Sequence, residues 1–178
     1  DLSFIYVMSD IAAENIAFWR AHPALSGFVA RGVLGFAHIE AGVSEEIVIE
    51  LRGGATQTIS RQEPCSRPLI MLANYLLDSL PCDLYRIVDG ALEEGLTRPK
   101  IKPNSNTAMT LAEPVTAAGF DFSYRPSARP CYPDEYYNAI LDAYQANLRD
   151  GYVLLPTGAL DCLRLLHPCS TAGLFLLA

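Results

Sequence analysis

Arg67–Arg86, RPLIMLANYLLDSLPCDLYR, is the stretch that decides the fold reading of this chain. Pro68 to Ala73 is a continuous apolar run that stops on Asn74; one helical turn carrying Asp78 follows, and Pro81 breaks it. A short apolar run without alternation predicts a strand buried on both faces, which belongs in a sheet covered by helices. The polar residue at its carboxyl end stands where open α/β sheets bind their ligands.

Working outward, the other segments repeat the strand–helix alternation. Ser3–Met8 predicts a strand ended by Ser9-Asp10, and Ile11–Ala21 a helix stopped by Pro23. Val33–Ile39 is a second strand, ended by Glu40, and Glu46–Leu51 a half-exposed strand before a turn at Gly53-Gly54. Leu84–Val88 and Ala91–Leu96 predict a β-hairpin, because Asp89-Gly90 suits the turn that matches strand twist. Thr97–Ala118, with three prolines and both lysines, reads as a loop or lid, and Phe120–Tyr124 as a further strand. Asp134 is set to cap a helix over Glu135–Leu148, Thr157 to cap one reaching Leu166, and Ala172–Ala178 closes the chain as a strand. The expectation is one α/β domain over residues 1–178, with a mostly parallel sheet, flanking helices and a hairpin insertion. A chain that starts and stops on apolar strands is expected to be incomplete at both ends.

Composition removes several function classes. The 178 residues are 51% hydrophobic and 19% charged, with a formal charge of −7 and two lysines, Lys100 and Lys102. A nucleic-acid groove needs clustered Lys and Arg to neutralise phosphates, and this chain lacks them. No apolar run reaches the roughly 20 residues that cross a bilayer, and Asp1–Ser9 has no basic start like that of a signal peptide. The reading is cytoplasmic, with no membrane and no nucleic-acid partner. Five cysteines without CxxC spacing predict reduced, mostly buried thiols and no metal site. There is no GxSxG, HExxH or GxxxxGK pattern, so hydrolase, zinc-protease and P-loop chemistry have no carrier.

Ala73-Asn74-Tyr75-Leu76-Leu77-Asp78-Ser79-Leu80-Pro81 resembles the ANExxDALP motif of MidA-type class I methyltransferases. It is more similar still to the methyltransferase-like domain of bacterial tetratricopeptide-repeat proteins, where the stretch reads IANYxFDxxPxDxFR and is followed by GxLxEGL. Leu92, Glu94, Gly95 and Leu96 fit that continuation, and Ile11–Leu25 and Leu154–Leu166 also resemble that group. The resemblance implies a Rossmann-like domain that binds S-adenosylmethionine and methylates a protein side chain. It implies that Asp10 holds the ribose hydroxyls, Glu40 the adenine side and Asn74 the methyl donor. Asn74 and Tyr75 are then the catalytic candidates, with Tyr75 and Asp78 on the substrate. Tyr75 stands where the MidA motif has Glu, a departure that the repeat-linked relatives share. The first, glycine-rich strand of such a sheet is missing from residues 1–178, which leaves a second reading: a degenerate fold acting as a protein-binding scaffold. Exposed sheet edges would then favour self-association.

Each candidate also has a purely structural reading. Asp10 and Asn74 can cap the turns that follow them, Glu40 and Asp78 can be solvated carboxylates, and His38 a core histidine. His22 and His167 precede prolines at helix ends, where a cationic ring suits the dipole.

Overall fold

The computed structural model describes residues 4–101 and 118–177. Ten strands stand among them, in three sheets. Contacts divide the chain into two compact units, Asp1–Pro81 with Pro156–Ala178, and Cys82–Leu155.

In the first unit, β1 (Tyr6–Asp10) is followed by α1 (Ala13–Ala21) and α2 (Pro23–Ala30), which return the chain to β2 (Leu34–His38). A helical crossover of this length is what parallel pairing requires, and β1 and β2 run parallel from Tyr6↔Leu34 to Asp10↔His38. The next strands, β3 (Glu46–Glu50) and β4 (Thr56–Ser60), are joined only by the short turn at Arg52–Gly54, so they pair antiparallel and the sheet β1-β2-β3-β4 is mixed. Its interior is built from Ala37, Ile47, Ile49, Ile59 and Cys169, with a second cluster of Ile16, Leu34 and Phe36.

β5 (Leu69–Ala73) falls where the opening segment places it. It pairs in parallel with β10 (Gly173–Leu177) alone, as a separate two-stranded ribbon. Leu69 packs on the cluster around Cys169, while Ile70 and Leu72 are 62% and 61% exposed. Helix α4 (Thr157–Leu166) precedes β10. The helix before it in the chain, α3 (Glu135–Asn147), belongs to the second unit.

In that second unit β6 (Asp83–Val88) and β7 (Ala91–Ile101) form the hairpin at Asp89-Gly90. Both turn residues have positive φ, 48° and 78°, which a two-residue hairpin of matching twist demands. With β8 (Ala118–Pro126) and β9 (Gly151–Leu155) they make a fully antiparallel sheet in the order β8-β7-β6-β9. Tyr85, Ile87, Val153 and Leu155 on this sheet and Tyr137 and Leu141 on α3 are all buried. Asp134 caps α3 as its sequence predicts, accepting from the Tyr136 amide.

The Rossmann-like expectation is therefore corrected. None of the three sheets is a mostly parallel, helix-covered one: parallel ladders are confined to β1/β2 and β5/β10. The physical reason is connection length. Short turns join β3 to β4 and β6 to β7, and a short turn can return the chain only antiparallel. β5 is not buried on both faces. β4, whose TQTIS has too little apolar content to announce a strand, lay outside the reading, as did α2, which Pro23 opens at its first position just after α1 ends at Ala21 as expected. Thr97–Ile101 extend β7 instead of opening a loop, and the rest of the expected lid, 102–117, lies outside the described residues. No described helix is long and apolar enough to cross a membrane.

Candidate functional site

The carboxyl ends of β1 and β2 stand side by side because the two strands are parallel and in register. Asp10 closes β1. Its Oδ1 accepts the Ala12 amide at 2.8 Å and its Oδ2 accepts Asn15 Nδ2, in the first turns of α1, at 2.9 Å. These two bonds, the backbone one first, hold its carboxyl below the usual carboxylate range, against a small opposing effect of desolvation. Asp10 is thus ionised at neutral pH, half-buried and fixed in orientation. It is an anchored turn residue.

His38, at the end of β2, is exposed and not a core histidine; its Nε2 lies 2.7 Å from the Ile11 carbonyl oxygen. The Ile39 amide donates to the Asp10 carbonyl at 3.0 Å, so the two strand ends are stitched beyond the ladder. Glu40 opens a tight turn. Its carbonyl accepts the Val43 and Ser44 amides, and its own amide donates to Ser44 Oγ at 2.9 Å. The Glu40 side chain stays exposed.

The end of β5 is built differently. Ala73 is buried, and Asn74 and Tyr75 are exposed. Tyr75 takes φ of 52°, a left-handed conformation that costs a non-glycine residue roughly 1–2 kcal/mol, and its side chain is 76% exposed. A single 3₁₀ turn, Leu77–Ser79, follows, closed by Ser79 Oγ donating to the Leu76 carbonyl at 2.7 Å. Asp78 projects from it into solvent. Behind this loop, the Gly158 amide at the start of α4 donates to the Pro81 carbonyl at 2.8 Å.

The structure brings Asp10 together with the segment leading to Glu40, and Asn74 together with Tyr75 and Asp78. No hydrogen bond among the described residues joins one group to the other.

Sequence reasoning missed Asn15 and Ser44, which fix the two acidic turns. It also missed a cluster on the second unit's sheet, where Arg86 Nε donates to Glu93 Oε2 at 2.8 Å and the guanidinium lies 4.0 Å from the Tyr124 ring centroid. Hydrogen bonding to Glu93 pushes the arginine's pKa still higher. The signal for that pair was present: Arg86 and Glu93 each lie three places from the Asp89-Gly90 turn, so a two-residue hairpin sets them opposite. His22 also caps α2, its Nδ1 accepting the Ala24 amide.

No protein-family profile, curated protein or solved structure matches the chain. The likeness to MidA-type methyltransferases rests on the quoted segments alone.

An ionised carboxylate has about four acceptor positions, of which Ala12 and Asn15 occupy two.

Proposed function

We propose that this chain binds S-adenosylmethionine through the carboxyl ends of β1 and β2 and directs its methyl group to a protein side chain. The observation that carries the reading is Asp10: a fixed, ionised, half-buried carboxylate with acceptor capacity to spare, at the end of a parallel strand pair. Asp10 would accept the ribose hydroxyls and Glu40 would face the adenine side. The cofactor, when bound, supplies an electrophilic methyl group on sulfur. The chain's own contribution is to hold and orient an acceptor nitrogen or oxygen. Asn74 offers an amide on the donor side, the Tyr75 hydroxyl reaches from its strained turn toward the acceptor, and the Asp78 carboxylate draws a nitrogen-bearing side chain. The proposal rests on residue placement and not on sheet topology, which differs from that of such enzymes. Five unpaired thiols fit a reducing, cytoplasmic setting.

One observation favours the second reading, a scaffold without catalysis. Ile70 and Leu72 on β5 stand opposite Leu174 and Leu176 on β10, and all four are exposed. A bare aliphatic face of this kind marks a surface for another protein or a second copy of the chain.

Calorimetric titration with S-adenosylmethionine and S-adenosylhomocysteine separates the two. The first reading predicts micromolar binding that weakens tenfold or more, about 1.4 kcal/mol, in a folded Asp10→Ala variant. No heat from a folded, monodisperse sample rejects it and leaves the scaffold.

A further inference from the structure

The second unit holds a row of four tyrosines that the strand-end site does not use. Tyr136 and Tyr137 of α3, Tyr132 in the connector before it and Tyr85 of β6 follow one another with ring centroids 5.6, 5.3 and 6.3 Å apart. These separations fall within the roughly 4.5–7 Å of favourable aromatic pairs. The row begins at Tyr136, 46% exposed, and ends at the buried Tyr85. Tyr132 is its most firmly held member. Asn138 of α3 grips its backbone from both sides, accepting the Tyr132 amide at 3.1 Å and donating to the Tyr132 carbonyl at 2.7 Å. The Tyr132 hydroxyl donates to Asp83 Oδ2, at the start of β6, at 2.6 Å.

A half-buried phenol needs some hydrogen-bond partner, and the choice of an anion has a chemical consequence. Burial first, then the bonds to Asp83 and Tyr85, push the Tyr132 phenol above its ordinary pKa, so it offers no phenolate nucleophile at neutral pH. Oxidation is a different matter. A phenol that loses an electron becomes a strong acid, and a carboxylate already in hydrogen-bond contact takes its proton in the same step. We propose that Tyr132 is a redox-active tyrosine, the residue at which one-electron, oxygen-centred oxidants such as the carbonate radical anion oxidise this chain, with Asp83 as proton acceptor. The radical takes one electron at the exposed Tyr136 and becomes carbonate. The electron vacancy passes along the row to Tyr132, whose hydroxyl proton moves to Asp83, and a neutral phenoxyl remains there. Nitrogen dioxide, where present, bonds to the ring carbon beside the phenol oxygen. The hydrogen on that carbon leaves as a proton, and the product is 3-nitrotyrosine. The proposal is independent of cofactor binding.

The test treats the whole chain at neutral pH with peroxynitrite in bicarbonate buffer, which generates the carbonate radical and nitrogen dioxide together. Peptide mass spectrometry then maps nitration over the nine tyrosines. Solvent access alone would favour Tyr75 and Tyr152, 76% and 67% exposed. Tyr132 is expected to lead instead. Asp83→Asn keeps an acceptor for the hydroxyl but removes the base, and should lower nitration of Tyr132 about tenfold while that of Tyr75 is unchanged. Tyr136→Phe should also lower it, because the exposed end of the row is gone. Nitration led by Tyr75 and Tyr152, nitration absent from Tyr132, or either variant nitrated at Tyr132 like the parent overturns the proposal. Should a variant fail to fold, the rank of Tyr132 among the nine tyrosines of the parent chain still decides.

Discussion

The ends of β1 and β5 carry four of the five site candidates, Asp10 at the first and Asn74, Tyr75 and Asp78 at the second, and they are made in opposite ways. At β1, Asp10 is locked by two side-chain hydrogen bonds and the strand end is stitched to β2 by the Ile39 amide. At β5, Tyr75 holds a left-handed backbone with its ring in solvent, and Asn74 beside it is exposed. The first end uses two hydrogen bonds to fix its carboxylate in place. The second stores strain and keeps its side chains free. In the proposed reading, the rigid end would hold the nucleoside and the strained, exposed end would meet the acceptor.

Substitutions can break this contrast. The largest effect is expected behind the β5 loop. A Cβ at Gly158 would lie 2.9 Å from the Pro81 nitrogen and 2.7 Å from its Cδ, so Gly158→Ala must push the loop's closing proline aside. Thermal unfolding should show a loss of about 2 kcal/mol, despite alanine's better helix propensity. Asp10→Ala comes next, with a loss of between about 1 and 2 kcal/mol from the orphaned Ala12 amide and the freed Asn15. Tyr75→Gly should do the reverse. Relief of the left-handed strain outweighs or balances the added chain entropy, for a gain of up to about 1 kcal/mol in chemical denaturation. A clear loss there would mean that the ring, not the backbone, sustains the turn.

The smallest effect is a pH dependence. The carboxyl of Asp10 is held below its free value of 3.8, so its contribution is fully present above that pH. It is lost as pH falls through the lower, folded-state value. The gap in melting temperature between the parent and Asp10→Asn should hold from pH 7 to about 5 and shrink below about 4. A gap that stays constant down to pH 2.5 would remove the electrostatic part of the anchor.

The contrast also explains what could be seen in the sequence. Asp89-Gly90, Asp134 and the limits of Leu69–Ala73 were legible, because turn chemistry, caps and apolar runs act over a few residues. What covers a strand is decided elsewhere. The LIMLA segment carries the apolar content of a doubly buried strand, yet its ladder has a single neighbour, and Ile70 and Leu72 face solvent. β4 was lost for the opposite reason: its pairing with β3, from Glu46↔Ser60 to Glu50↔Thr56, holds a segment whose own composition is polar. At the site, Asp10 and Glu40 could be picked out as acids closing apolar runs. Asn15 and Ser44 could not, since nothing local marks a side chain that will fold back on a turn. The left-handed Tyr75 was equally hidden, because an exposed tyrosine gives no sign of its φ.

The measurement that reaches the central proposal most directly is amide chemical-shift mapping of the isotope-labelled chain with S-adenosylhomocysteine. If the strand ends hold the nucleoside and face the acceptor, saturable shifts should gather at Asp10–Asn15, Ile39–Ser44 and Asn74–Tyr75. Arg86–Val88 on the second unit's sheet should stay still. Shifts confined to Cys82–Leu155, or none at millimolar ligand, would contradict a cofactor site at the ends of these strands.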